Sequence, residues 1–136
     1  MQKIAGTTVL LRLEGLALAL ACLWLYGLFH QSWWIFAALV LAPDLSMLAY
    51  FAGPRIGAAV YNAAHSWVTL VALFFLAWYA GGGSTFLLSL PFILGVHIGV
   101  DRALGYGLKH RTGFRDTHLG TIGRSAATGQ TTPRAG

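Results

Sequence analysis

Four apolar stretches, residues 9–29, 33–51, 56–80 and 85–108, fill most of this chain and are separated only by HQS, AGPR and GGGS. A helix needs about 20 mostly apolar residues to cross the hydrocarbon of a bilayer, so each stretch predicts one crossing. Links this short favour antiparallel neighbours. The expected fold is therefore all-α: a four-helix transmembrane bundle over residues 1–108 with a polar C-terminal tail. Composition agrees, since 57% of the 136 residues are hydrophobic and only 10% are charged, against about a quarter charged in a soluble domain. No room remains for a separate catalytic domain.

Lys and Arg collect at the cytoplasmic ends of membrane helices. Lys3, Arg12, Arg55, Arg102, Lys109, Arg111, Arg115, Arg124 and Arg134 all fall on the side shared by the N-terminus, the second link and the C-terminus. The first and third links hold neither residue. The expectation is a multi-pass protein of the inner (plasma) membrane with both termini cytoplasmic, and with Trp33, Trp34, Trp78 and Tyr79 forming an aromatic belt at the far interface. Residues 109–124 then form a basic cytoplasmic segment lying along anionic lipid headgroups. Residues 125–136, rich in Gly, Thr, Pro and Ala, form a disordered tail. A net charge of +5 follows the membrane side and fits no nucleic-acid-binding motif, so the partners expected are lipids.

Cys22 is the sole cysteine, which excludes an internal disulfide framework and any CxxC site. LRLEGLALALACLW resembles a lipoprotein signal ending at Cys22, but Glu14 interrupts its apolar region, and the stretch is read as an uncleaved first helix.

Within LVLAPDLSMLAYFAGPR, Pro43 and Asp44 break the second apolar stretch. A carboxylate at membrane depth is costly and marks a functional site with a partner to be named. At a rise of about 1.5 Å per residue, Asp44 lies about 16 Å from the end of its helix marked by Arg55, and His65 lies about 15 Å along the next helix. His97 and Asp101 lie about 18 and 12 Å from Lys109 on the fourth helix, and Glu14 reaches a comparable depth on the first. His97 and Asp101, four residues apart, share one helix face, as do Asn62, His65, Ser66 and Thr69. Pro43 leaves the Leu39 carbonyl without its helical partner and predicts a kink beside Asp44.

Two imidazoles and two carboxylates suit a divalent metal: Asp44, His65, His97 and Asp101 as ligands for Zn, Fe or Mn. Glu14 would serve as general base, and Ser46 or Asn62 would bind ligand and stabilise an oxyanion. A metal near the inner leaflet would activate water against a lipid entering sideways between helices. Two other readings use the same residues. In one, a neutralised network pairs Arg12 and Arg102 with Glu14, Asp44 or Asp101 and only orders the bundle; in the other, an oligomer carries protons or small solutes past Asp44, His65 and Glu14. Gly95 and Gly99 form a GxxxG spacing on the opposite face of the fourth helix, for packing within the chain or, as the second reading, a homo-oligomer. His30, His110, Asp116 and His118 read as solvated, although RDTHLG could fold back over the site.

APDLSMLAYFAGPRIGAAVYNAAH, HIGVDRALGYGLK and GFRDTHLG resemble a family of small bacterial membrane proteins, the domain of unknown function numbered 4260, over residues 11–123. The resemblance implies a four-helix inner-membrane protein and brings no activity with it. Its motifs include Asp44, Ser46, Asn62, His65, His97, Asp101, Arg102, Tyr106, Asp116 and His118. A looser similarity, to membrane metal hydrolases of the ceramidase and adiponectin-receptor type, lies in histidines, an aspartate and a serine carried on membrane helices. This chain has about half their helices and an HxxxD pair in place of paired histidines, so no catalytic role is carried over.

Overall fold

The computed structural model describes residues 2–110, 116, 117 and 119–121. The chain folds as α1 (Gln2–Leu28), α2 (Trp33–Leu39), a 3₁₀ segment η1 (Ala42–Ala52), α3 (Pro54–Ala64), α4 (Trp67–Ala80) and α5 (Thr85–Leu104). A two-residue antiparallel pair, β1 (Asp116–Thr117) and β2 (Gly120–Thr121), follows. The fold is all-helical apart from that pair, but four continuous helices are not what forms. Three segments are long and apolar enough to cross a membrane, Gly6–Leu28, Trp33–Ala52 and Thr85–Leu104, and a fourth exists if α3 and α4, bent by 51° to one another, count as one span. The apolar stretches coincide with those read from the sequence; the break in the second falls at Pro43, where the kink was expected, and the break in the third, at His65, is an addition.

The scaffold is the antiparallel pair of α1 and α5. Gly15 lies so close to α5 that a Cβ there would come within 2.8 Å of Arg102 Cβ and 2.9 Å of the Gly99 carbonyl oxygen. A Cβ on Gly99 would meet the Gly15 oxygen at 2.6 Å and the Ala19 nitrogen at 2.8 Å. Gly95 is filled in the same way by Cys22 and Leu70. The GxxxG face thus packs against α1 of the same chain. Small residues let two backbones meet, and van der Waals contact then holds helices that no water drives together.

The two ends of this pair are pinned differently. Phe29 stacks on Phe92 with ring centroids 5.6 Å apart, and Gln31 donates to Thr85 Oγ1 at 3.2 Å, so the first and third links share one end. The fully buried Tyr26 donates to the Ser32 carbonyl at 2.8 Å and packs edge-on against Trp33, holding the start of α2 to α1. At the opposite end the Arg12 guanidinium lies against Gly105. The outer surface is apolar: Leu20, Trp24, Leu45, Phe51, Val68 and Leu76 are all exposed, the pattern of a protein whose solvent is lipid.

Helix α2 stops at Leu39 because Pro43 has no N–H for the Leu39 carbonyl. The chain continues with three-residue hydrogen bonds, Asp44 N–H to the Leu41 carbonyl at 3.1 Å being the first beyond the break. In a 3₁₀ segment side chains at i and i+3 eclipse one another, so Asp44, Met47 and Tyr50 line one edge, and the ring of Tyr50 fills the space beside Gly57 on α3. Gly53, at φ 110°, makes the reversal between η1 and α3.

A candidate metal site at two helix breaks

The third span breaks at His65. Its backbone N–H and its Nδ1 both reach the Tyr61 carbonyl, each at 2.9 Å. Ser66 then restarts the helix, accepting from the Val68 N–H at 3.0 Å, as an N-cap serine does. The Thr69 hydroxyl donates to the Ala63 carbonyl, satisfying an acceptor that the break leaves open. The double use of the Tyr61 carbonyl assigns the His65 tautomer: Nδ1 carries the proton, and Nε2 presents a lone pair.

That lone pair points into a cluster. His65 Nε2 lies 3.7 Å from Asp44 Oδ1 and 3.7 Å from Asp101 Oδ2. His97 Nε2 lies 3.5 and 3.8 Å from the same two oxygens. The two imidazole nitrogens are 3.0 Å apart, and one donor atom from each of the four residues lies within 4.8 Å of all the others. Zn–N bonds of about 2.0–2.1 Å in a tetrahedral site put ligand atoms about 3.3–3.4 Å apart. Five edges of this tetrahedron are therefore close to that length, and the carboxylate–carboxylate edge remains the least constrained. His65 and His97 are buried, Asp101 is 19% exposed and Asp44 35% exposed, so the cluster is sealed on the imidazole side and opens past Asp44.

Tyr61 was absent from the residues singled out by sequence. It donates to Asp101 Oδ2 at 3.1 Å and stacks on the His65 ring at 3.7 Å between centroids and 13° between planes. It thus orients one carboxylate and one imidazole at once, the role that outer hydrogen-bond partners play around metal ligands. The i,i+4 spacing of Tyr61 and His65 was the available signal. Lys109 was read as the start of a surface segment. It is instead 5% exposed, with its Nζ 5.1 Å from the centre of the Tyr61 ring. Burial pushes its ammonium below the ordinary lysine range, and the charge of Asp101 works in the opposite direction.

Asn62 lies nearby but has a different task. Its Nδ2 donates to the Lys109 carbonyl at 2.8 Å and its Oδ1 accepts from the Lys109 N–H at 2.7 Å. The amide imitates a strand partner and is committed to holding the chain beyond α5 across the site, where Lys109 also bridges Thr117. Both ends of the Asn62 amide, expected to bind ligand, are thus taken up by the backbone of Lys109. Glu14, expected as general base and ligand group, is exposed on α1 and does not join the cluster: α1 turns its small residues toward α5. Ser46 keeps a buried hydroxyl with no hydrogen-bond partner among the described residues. Arg102 places its guanidinium over the Trp67 ring at 5.3 Å. Among the described residues the ion pairs are those of the two histidines with the two aspartates. His30 and His110 are exposed. Arg111, Arg115, His118, Arg124, Arg134, the Asp116 side chain and the tail 125–136 lie outside the described residues.

A cavity of about 210 Å³ adjoins the cluster, lined by Asp44, Met47, Tyr61, Asp101, Tyr106 and Lys109. A second, apolar one of about 240 Å³ lies on the other side, walled by Leu39 and Pro43, by Leu73 of α4, and by Leu90, Ile93 and Leu94 of α5.

Fold and site together define a class: a small all-helical protein with segments apolar enough to cross a membrane and a buried His₂Asp₂ cluster that could hold a metal. The chain belongs to the DUF4260 family, a domain of unknown function whose family model matches residues 8–122. No curated protein and no solved structure matches the chain.

Proposed function

We propose that this is a multi-pass inner-membrane protein with both termini on the cytoplasmic side, which binds a divalent cation, Zn, Fe or Mn, through Asp44, His65, His97 and Asp101 and uses it hydrolytically. The observation that carries the reading is the meeting of four donor atoms, one from each residue, at near-tetrahedral spacing from three separate spans. Charge supports it. Two ionised aspartates with two neutral imidazoles leave two negative charges in a poorly hydrated layer, a costly state that one divalent ion neutralises.

A metal held there supplies Lewis acidity and an activated water. Hydrolysis would add that water to an acyl carbon, break the bond to the leaving oxygen or nitrogen, and leave the proton on the departing alcohol or amine. Asp44, the more exposed carboxylate, borders the cavity from which a substrate carbonyl would approach. Orientation rests on the common end shared by Arg12, Gly105 and Lys109 and on the rule that basic residues stay cytoplasmic.

The competing reading is a non-enzymatic membrane component in which the polar layer orders the bundle. The direct His65–His97 and Tyr61–Asp101 contacts favour it, since these side chains satisfy one another. Elemental analysis separates the two. Protein purified in detergent from metal-replete cells is expected to carry one equivalent of Zn, Fe or Mn, lost in His65→Ala and His97→Ala. Wild type without metal, combined with a fall in melting temperature for Asp44→Asn, would instead support the ordering role.

A further inference from the structure

The apolar slot and the polar cavity lie along the same three walls. On α5, Leu90, Ile93 and Leu94 precede His97 and Asp101 at helical spacing, so the stripe changes from hydrocarbon to ligand within one turn. On the second span, Pro43 borders the slot and the next residue, Asp44, borders the cavity. On the third, Leu73 of α4 lines the slot and Tyr61 of α3 lines the cavity. The cluster sits where one chemistry gives way to the other.

This arrangement has a lateral opening. The extensive packing of η1 is with α3, and that of α5 is with α1 and α4, so η1 and α5 meet at the cluster, where Asp44 reaches His97, with the slot open between them beyond it. At about 30 Å³ per small group, the share one water takes of the liquid, the slot's volume of about 240 Å³ accommodates on the order of eight methylenes of an alkyl chain. Beyond the cluster, Lys109 is the cation among the described residues that line the cavity. With the two aspartates neutralised by a metal, its ammonium gives that described lining a positive charge.

We propose that the site takes a single-chain amphiphile with an anionic headgroup, its alkyl chain in the slot of Leu39, Pro43, Leu73, Leu90 and Leu94 and its headgroup beside Lys109. The assignment rests on the metal reading for the charge of the cavity. Carboxylate and phosphate headgroups share the chemistry that Lys109 recognises, and both enter the test.

The full chain, purified in a neutral detergent, is titrated with radiolabelled dodecanoate, dodecyl phosphate, dodecyltrimethylammonium and butyl phosphate, and its metal content is measured on the same samples. At least one of the two anionic dodecyl probes should bind tenfold or more tighter than the cationic one and than butyl phosphate. Lys109→Met should remove the preference for anionic heads, and Leu94→Trp, which fills the slot, should remove the advantage of the long chain, both at wild-type metal content and melting temperature. Equal affinity for the two headgroup charges, or retention of chain and charge preferences in both variants, overturns the assignment. Wild type lacking metal but keeping both preferences refutes the metal reading and leaves the amphiphile; metal present with no preference does the reverse.

Discussion

The α1–α5 half and the η1–α3–α4 half of this molecule are built on opposite plans. The first is two unbroken helices brought into backbone contact by Gly15 and Gly99, with Gly95 making room for the Cys22 side chain. The second changes helical type at Pro43 and restarts at Ser66, and two of the four clustered groups, Asp44 and His65, sit at those breaks. Irregular backbone at membrane depth is tolerated only where protein or a cavity supplies its lost hydrogen bonds. Here the Tyr61 carbonyl, the Ser66 and Thr69 hydroxyls and the polar cavity do so. Rigidity is concentrated in one half and chemistry in the other, and α5 serves both, with glycines on one face and His97 and Asp101 on the other.

Substitutions can break that division. The largest loss is expected for Gly99→Leu, since the atoms in its way are the backbone of Gly15 and Ala19 and cannot move aside. About 3 kcal/mol, the upper end for overpacking, should appear as a lowered melting temperature in detergent, and the metal should be lost with the fold. Retention of wild-type stability would show that the helix pair is not the scaffold. Asp101→Asn comes next: a metal affinity lowered at least a hundredfold, about 2.8 kcal/mol at 1.4 per decade, with α1–α5 amide exchange unchanged. If metal binding survives, Asp101 is no ligand.

Tyr61→Phe removes the bond to Asp101 but keeps the ring on His65. The expected cost is about tenfold in metal affinity, the low end for an outer partner, read by chelator competition. Asn62→Ala should have the smallest effect, about 1 kcal/mol for the paired backbone bonds of Lys109, seen as faster exchange at the Lys109 amide with metal content unaltered. An exchange rate equal to wild type would mean that the clamp does not hold the chain beyond α5.

Much of this division was legible in residue order. The four apolar stretches, the antiparallel neighbours, the common level of Asp44, His65, His97 and Asp101, and the special face of α5 all follow from span length, rise per residue and a 100° step. Met47 and Tyr61 escaped. Counting at 3.6 residues per turn from Asp44 points to Leu48 and Phe51, yet both are exposed, because a three-residue repeat turns Met47 and Tyr50 inward instead. Glu14 and Asn62 were expected at that same level, but a level along the helix axis carries no azimuth: one is exposed on α1, and the other spends its amide on Lys109.

Residue order by itself determined where the apolar stretches lie and which ionisable groups share a layer, since both depend on local composition and on distance along one axis. Tertiary packing alone decided which of those groups meet. Azimuth around each span is set by where Pro43 and His65 interrupt the backbone and by which glycine face another helix covers, and such contacts exist only between segments distant in sequence.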